Sequence, residues 1–200
     1  MEIKTIEVAG FAAALRALRF PFKKDARSEV HTSFEGDTVC GWRRFQSSAF
    51  CVIDDKDIEL ISTLISRGDE HAKPVRGIIA YAEITAPIYF WWDLETYGVG
   101  HQRLFSESTM NDEGKKLVGR KLQKALRAIS FGRNIRKSDY FSYQTLRHIV
   151  IQRYNHRKPE FHEFIEWIKT LPYANELILV GLEDKLAIHD KMYQDCLNEE

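Results

Sequence analysis

Cysteine is scarce in this chain: Cys40, Cys51 and Cys196 are the only three in 200 residues. They are an odd number with no C-x-x-C or mixed Cys/His spacing, which excludes a disulfide framework and a zinc-finger type of site and points to reduced thiols. An excess of either charge is also missing. Lys plus Arg and Asp plus Glu number 29 each, so the chain as a whole advertises neither a polyanion nor a polycation as its partner. Long apolar runs are absent as well, none approaching the roughly 20 residues of a membrane helix, and Met1-Glu2-Ile3-Lys4 begins with mixed charge unlike a signal peptide. A soluble, cytoplasmic protein without a membrane partner is therefore expected. No H-E-x-x-H pair, G-x-S-x-G elbow or full G-x-G-x-x-G fingerprint occurs; Gly98 and Gly100 supply only G-x-G.

What is present is an ordinary globular composition, 44% hydrophobic and 12% aromatic, enough for one domain with a real core over residues 1–200. Residues 1–9 read as a strand and Phe11 to Arg19 as an Ala/Leu-rich helix stopped by Pro21. Residues 22–53 alternate around Gly36 and Gly41 as a hairpin or long loop. Asp54 or Asp55 caps a helix with Ile58, Ile61, Leu64 and Ile65 at helical spacing, and Gly68 ends it. Residues 111–137, with nine basic and two acidic side chains, read as a helix with Leu117, Leu122, Leu126 and Ile129 facing inward. The next helix spans about Ser138 to His156, and Lys158-Pro159-Glu160 starts another that ends at Leu171-Pro172. The six carboxylates between Glu183 and Glu200 balance part of the basic charge.

The run from Tyr81 to Met110 is the most informative. A strand, Ile78 to Ile84, leads through Thr85-Ala86-Pro87 into a helix apolar on nearly every side, which predicts burial. That helix nevertheless carries Asp93 and Glu95, and a buried carboxylate needs a partner or a ligand. The following polar loop, with His101, Arg103, Ser106, Glu107, Ser108 and Thr109, is rich in donors suited to an anion. Farther on, Arg153 and Arg157 continue the apolar stripe of Leu146 and Val150; each can snorkel to the surface or present its planar fork to a phosphate. A basic patch at 115–137 suggests nucleic acid, but no aromatic residue interleaves with the cations from Lys115 to Arg127 and no reader motif appears, so this reading ranks last.

His71 before a strand, Ala86-Pro87-Ile88 opening a helix, Ser106 in a polar loop and the later His148-x-x-x-x-Arg153 resemble the flavin-dependent thymidylate synthases over about residues 71–170. The family's Arg-His-Arg triplet falls on Thr96-Tyr97-Gly98, its serine on Ser106, and its Gly-Arg on Glu107-Ser108. The resemblance implies an α+β single domain, a helix-flanked mixed or antiparallel sheet, assembled as a homotetramer. It also implies a pyrimidine deoxynucleotide (dUMP-like) ligand, FAD as cofactor, and methyl transfer to the nucleotide; the alternative is a non-catalytic nucleotide-binding or sequestering protein on the same fold. On this reading Arg103, Ser106, Glu107, Ser108, Arg153 and Arg157 contact the nucleotide, and His71, Glu95, Tyr97, His101 and His148 the flavin.

Overall fold

The computed structural model describes residues 1–22, 29–39, 42–108 and 117–198, with the backbone alone for 22–52. Four strands form an antiparallel sheet in the order β1-β4-β6-β5: β1 Glu2–Ala9, β4 Ile79–Pro87, β6 Asn134–Ser142 and β5 His101–Ser106. Strands β2 (Glu29–Val39) and β3 (Trp42–Val52) pair as a separate antiparallel hairpin. The helices are α1 Phe11–Leu18, α2 Asp55–Ser66, α3 Ile88–Leu94, α4 Gly119–Arg127, α5 Tyr143–Arg153, α6 Pro159–Lys169, α7 Ala174–Leu177 and α8 Glu183–Asn198. The α+β class with an antiparallel sheet is as expected.

Period-two alternation fixes which sheet face is buried. On β4, Ala80, Ala82, Ile84 and Ala86 are buried while Ile79, Tyr81, Glu83 and Thr85 are only partly covered. Small alanines let the helices approach. On β6 the inward set is Ile135, Lys137, Asp139 and Phe141. Phe141 packs edge-on against Phe164 of α6, and Phe90 of α3 meets Phe161 and Phe164. Each such buried ring contributes about 1.5–3 kcal/mol.

Helix starts follow their caps. The Asp54 carboxylate accepts the Lys56 N–H at 3.0 Å at the head of α2, and Ser142 Oγ accepts the Thr145 N–H at 3.2 Å at the head of α5. Pro159 opens α6 as its missing N–H allows.

Five expectations need correction. The chain at 134–142, expected to be helical on both sides of residue 138, is strand β6. Lys137 and Asp139 disguise it, because two charges occupy its buried face. The segment expected as a loop after Gly100 is an edge strand, β5, with a bulge between Arg103 and Phe105. Helix α3 is not enclosed: Phe90, Trp91 and Leu94 are buried, but Trp92 is 57% exposed. Its carboxylates are satisfied by lysines, Asp93 Oδ2 by Lys158 Nζ at 2.6 Å and Glu95 Oε1 by Lys137 Nζ at 3.0 Å. Pro87 ends β4 and caps α3, whose first turn starts at Ile88. The acidic C-terminal segment reaches α6, not the basic helix: Asp190 takes Lys169 at 2.5 Å.

Candidate ligand-binding site

Two hollows lie on either side of one turn, residues 69–77, whose centre is a 3-10 helix over Lys73–Arg76. The first, about 590 Å³, is polar and opens where β4 begins, β6 ends and α5 starts. Its floor depends on Gly100. With φ at +74° and an added Cβ only 2.4 Å from Thr145 Oγ1 and 2.5 Å from Ser142 Oγ, no other residue fits there. The close approach lets the Ser142 N–H donate to the Gly100 carbonyl at 2.6 Å, and Thr145 Oγ1 donate to the Val99 carbonyl at 2.7 Å.

Four side chains give this hollow its chemistry. Arg76 Nε donates to Gln144 Oε1 at 2.7 Å and its Nη2 to the Asp69 carbonyl at 2.9 Å, so the guanidinium is held in place from two sides. His148 Nε2 lies 2.8 Å from Asp69 Oδ2, and that bond holds the Asp69 carboxyl below the usual range. Tyr140 brings a ring paired with Tyr81 at 5.8 Å between centroids. A fixed guanidinium, an imidazole, an amide and an aromatic face are the groups that recognise a phosphate joined to a flat heterocycle.

The second hollow, about 540 Å³, is apolar. Ala13, Ala14, Ala17 and Leu18 of α1 form one wall, Leu64 and Pro74 another, and His71 and Lys73 stand on its lining. Gly10 permits this arrangement, since a Cβ there would lie 1.9 Å from the Gly77 carbonyl oxygen.

The residues singled out from sequence fall in several places. His148 lines the polar hollow and His71 the apolar one. Glu95, Arg103 and His101 meet beneath β5 and β6: Arg103 Nη2 bonds Glu95 Oε1 in a short contact, and His101 Nε2 lies 2.7 Å from Asp139 Oδ2 with its ring stacked on Phe141 at 4.5 Å. Burial alone raises the Glu95 carboxyl, but the bonds from Lys137 and Arg103 outweigh it and hold it low. Burial in turn pulls the Lys137 ammonium down. Tyr97 accepts from Arg153 Nε at 2.9 Å, and the Arg153 guanidinium lies over Phe161 at 4.9 Å. Ser106, Glu107 and Ser108 are exposed at the far end of β5, and Arg157 is exposed beyond α5. Asp69, Arg76, Tyr140 and Gln144 carry no sequence signal beyond the spacing of Gln144 to His148, one helical turn.

No protein-family profile matches the sequence, and no curated protein matches it either. Among solved structures, the chain is similar to the flavin-dependent thymidylate synthase ThyX of Helicobacter pylori complexed with FAD and dUMP. The TM-score is 0.60 at 13% identity, covering 90% of this chain and 99% of that one. A second structure of that protein with FAD and dUMP gives 0.60 at 14% identity, covering 93% and 99%. At this identity the likeness shows a shared fold.

Proposed function

We propose that this chain binds a pyrimidine deoxynucleotide, dUMP or a close analogue, in the polar hollow of its thymidylate-synthase-like fold. The observation that carries the reading is the convergence of Arg76, His148 and Gln144 on one hollow beside the Tyr140 ring. Arg76 and His148 meet the phosphate, Gln144 holds Arg76 in place, and Tyr140 provides a face for stacking. Asp69 orients His148, as a carboxylate orients an imidazole through its ring nitrogen.

FAD fits one feature of the chain. The volume of the apolar hollow, about 540 Å³, and its lining suit a flat ring system, with His71 and Lys73 on that lining for a polar edge or phosphates. When bound there, the flavin supplies hydride chemistry, and the protein binds and orients it. The second reading, methyl transfer to the nucleotide, rests on that hollow. Against it stands the charge of Arg103, which is spent on Glu95, while Thr96-Tyr97-Gly98 offers no cation where the family has a triplet. The first reading, nucleotide binding without catalysis, is therefore preferred. A cytoplasmic homo-oligomer, tetrameric by the same resemblance, completes the proposal.

Thermal unfolding with added dUMP, dTMP and FAD tests both readings. A ligand at one hundred times its dissociation constant adds about 2.7 kcal/mol, a shift of several degrees for this chain. Arg76→Ala is expected to abolish the dUMP shift, and Ala17→Trp to abolish any FAD shift while sparing the dUMP one. Wild-type protein that shifts with no mononucleotide overturns the nucleotide reading.

A further inference from the structure

We propose that the surface made by α4, Trp92 and Phe131 binds single-stranded nucleic acid. The inference does not depend on the nucleotide reading of the polar hollow.

Electrostatics comes first. Between residues 117 and 127 the chain carries Arg120, Lys121, Lys124 and Arg127 and no carboxylate, although the whole chain is neutral. All four cations of α4 are exposed, and none forms an ion pair with a described residue. The carboxylates of the neighbouring α3 segment are engaged elsewhere, Asp93 with Lys158 and Glu95 with Lys137 and Arg103. Among the described residues the four cations of α4 meet no counter-charge, which suits an anionic partner.

The second observation is aromatic. Read along the chain, the basic helix has no ring among its lysines. The fold supplies two. Trp92 and Phe131 are 57% and 61% exposed and touch edge-to-face at 4.8 Å between centroids. The Tyr89 N–H donates to the Phe131 carbonyl at 3.3 Å, which ties the segment after α4 to α3. Phe131 thus stands between Arg127 and Arg133, with the Trp92 indole beside it from 39 residues upstream. Cations that follow phosphates beside rings that accept bases are the arrangement of single-strand binders. Base pairs in a duplex are already stacked, so the rings gain nothing from one. An anionic bilayer is disfavoured because the apolar side of α4, Leu122, Ala125 and Leu126, is already partly covered by the protein.

The test is fluorescence anisotropy of labelled dT12 and U12 with the full chain. Binding at 20 mM salt should weaken as salt rises, with a log–log slope of about −3 if about four phosphates are neutralised. The double variant Lys121→Glu, Lys124→Glu should weaken binding more than tenfold, and it preserves the fold because α4 contains no buried residue. Trp92→Leu should weaken it by about 5- to 30-fold through lost stacking. No anisotropy change at 20 mM salt overturns the proposal. Equal affinity for a 12-base-pair duplex, affinity unmoved by both variants, or capture by phosphatidylserine vesicles without oligonucleotide binding overturns it as well.

Discussion

Gly100 is the residue on which the polar hollow depends most directly. A side chain there faces both a left-handed backbone and two hydroxyl oxygens within 2.5 Å. Gly100→Ala should lower stability by about 2–5 kcal/mol, combining left-handed strain with overpacking, as measured by urea unfolding. Asp139 presents a different residue-scale case. It is fully buried, Oδ2 is taken by His101, and Oδ1 lies 3.9 Å from Arg103 Nε with no hydrogen bond to either atom. Asp139→Ala leaves His101 without its partner and Arg103 without its nearest buried charge, and should cost about 3–5 kcal/mol in the same experiment. The larger loss should accompany Asp139→Ala and not Arg153→Ala. Arg153 bonds a phenol and overlies a ring with no carboxylate partner among the described residues, and its truncation should cost about 1–2 kcal/mol.

At the scale of elements, α8 is attached to the body through His189, its one buried residue, whose ring lies 5.0 Å from that of His162 on α6. His162 is fully buried; its Nε2 donates to the His156 carbonyl at 2.7 Å and its Nδ1 has no partner. Burial lowers the proton affinity of His162, and of His156 beside it. An unfolded imidazole takes up its proton near pH 6.5. Below that value the unfolded chain binds protons that the folded chain refuses, so stability is complete above about pH 6.5 and falls as pH drops. Urea midpoints at pH 7.5 and 5.5 should differ in that direction, and His162→Gln should reduce the difference.

Elements also show what the sequence could and could not reveal. Helices α2 and α6 were legible because starts, stops and apolar spacing agree in each: Asp54, Gly68, Pro159 and Leu171-Pro172 punctuate them. Strand β6 was not, because Lys137 and Asp139 on its inner face break the apolar alternation, and they are tolerated only through partners on β5 and α3. For the same reason the candidate site was read in part. His71 and His148 lie in the hollows, whereas Arg76, Gln144 and Tyr140 meet only when β4, β6 and α5 are assembled. No local spacing announces that meeting.

For the whole molecule, the turn at residues 69–77 acts as a party wall. Asp69 and Arg76 face the polar hollow, while Glu70, His71, Lys73 and Pro74 face the apolar one. An occupant that stiffens or shifts this short segment from one side would change what the other side offers, so the proposed reading predicts a coupling free energy between the two hollows. Such couplings typically amount to about 1–3 kcal/mol, and they are reciprocal by necessity. Calorimetric titration of dUMP with and without saturating FAD, and of FAD with and without saturating dUMP, should therefore give the same ratio of dissociation constants. Pro74→Gly, which loosens the wall without touching the polar hollow's lining, should bring that ratio toward one. On the proposed reading the two ligands act on one segment, and either alone reports only part of its response.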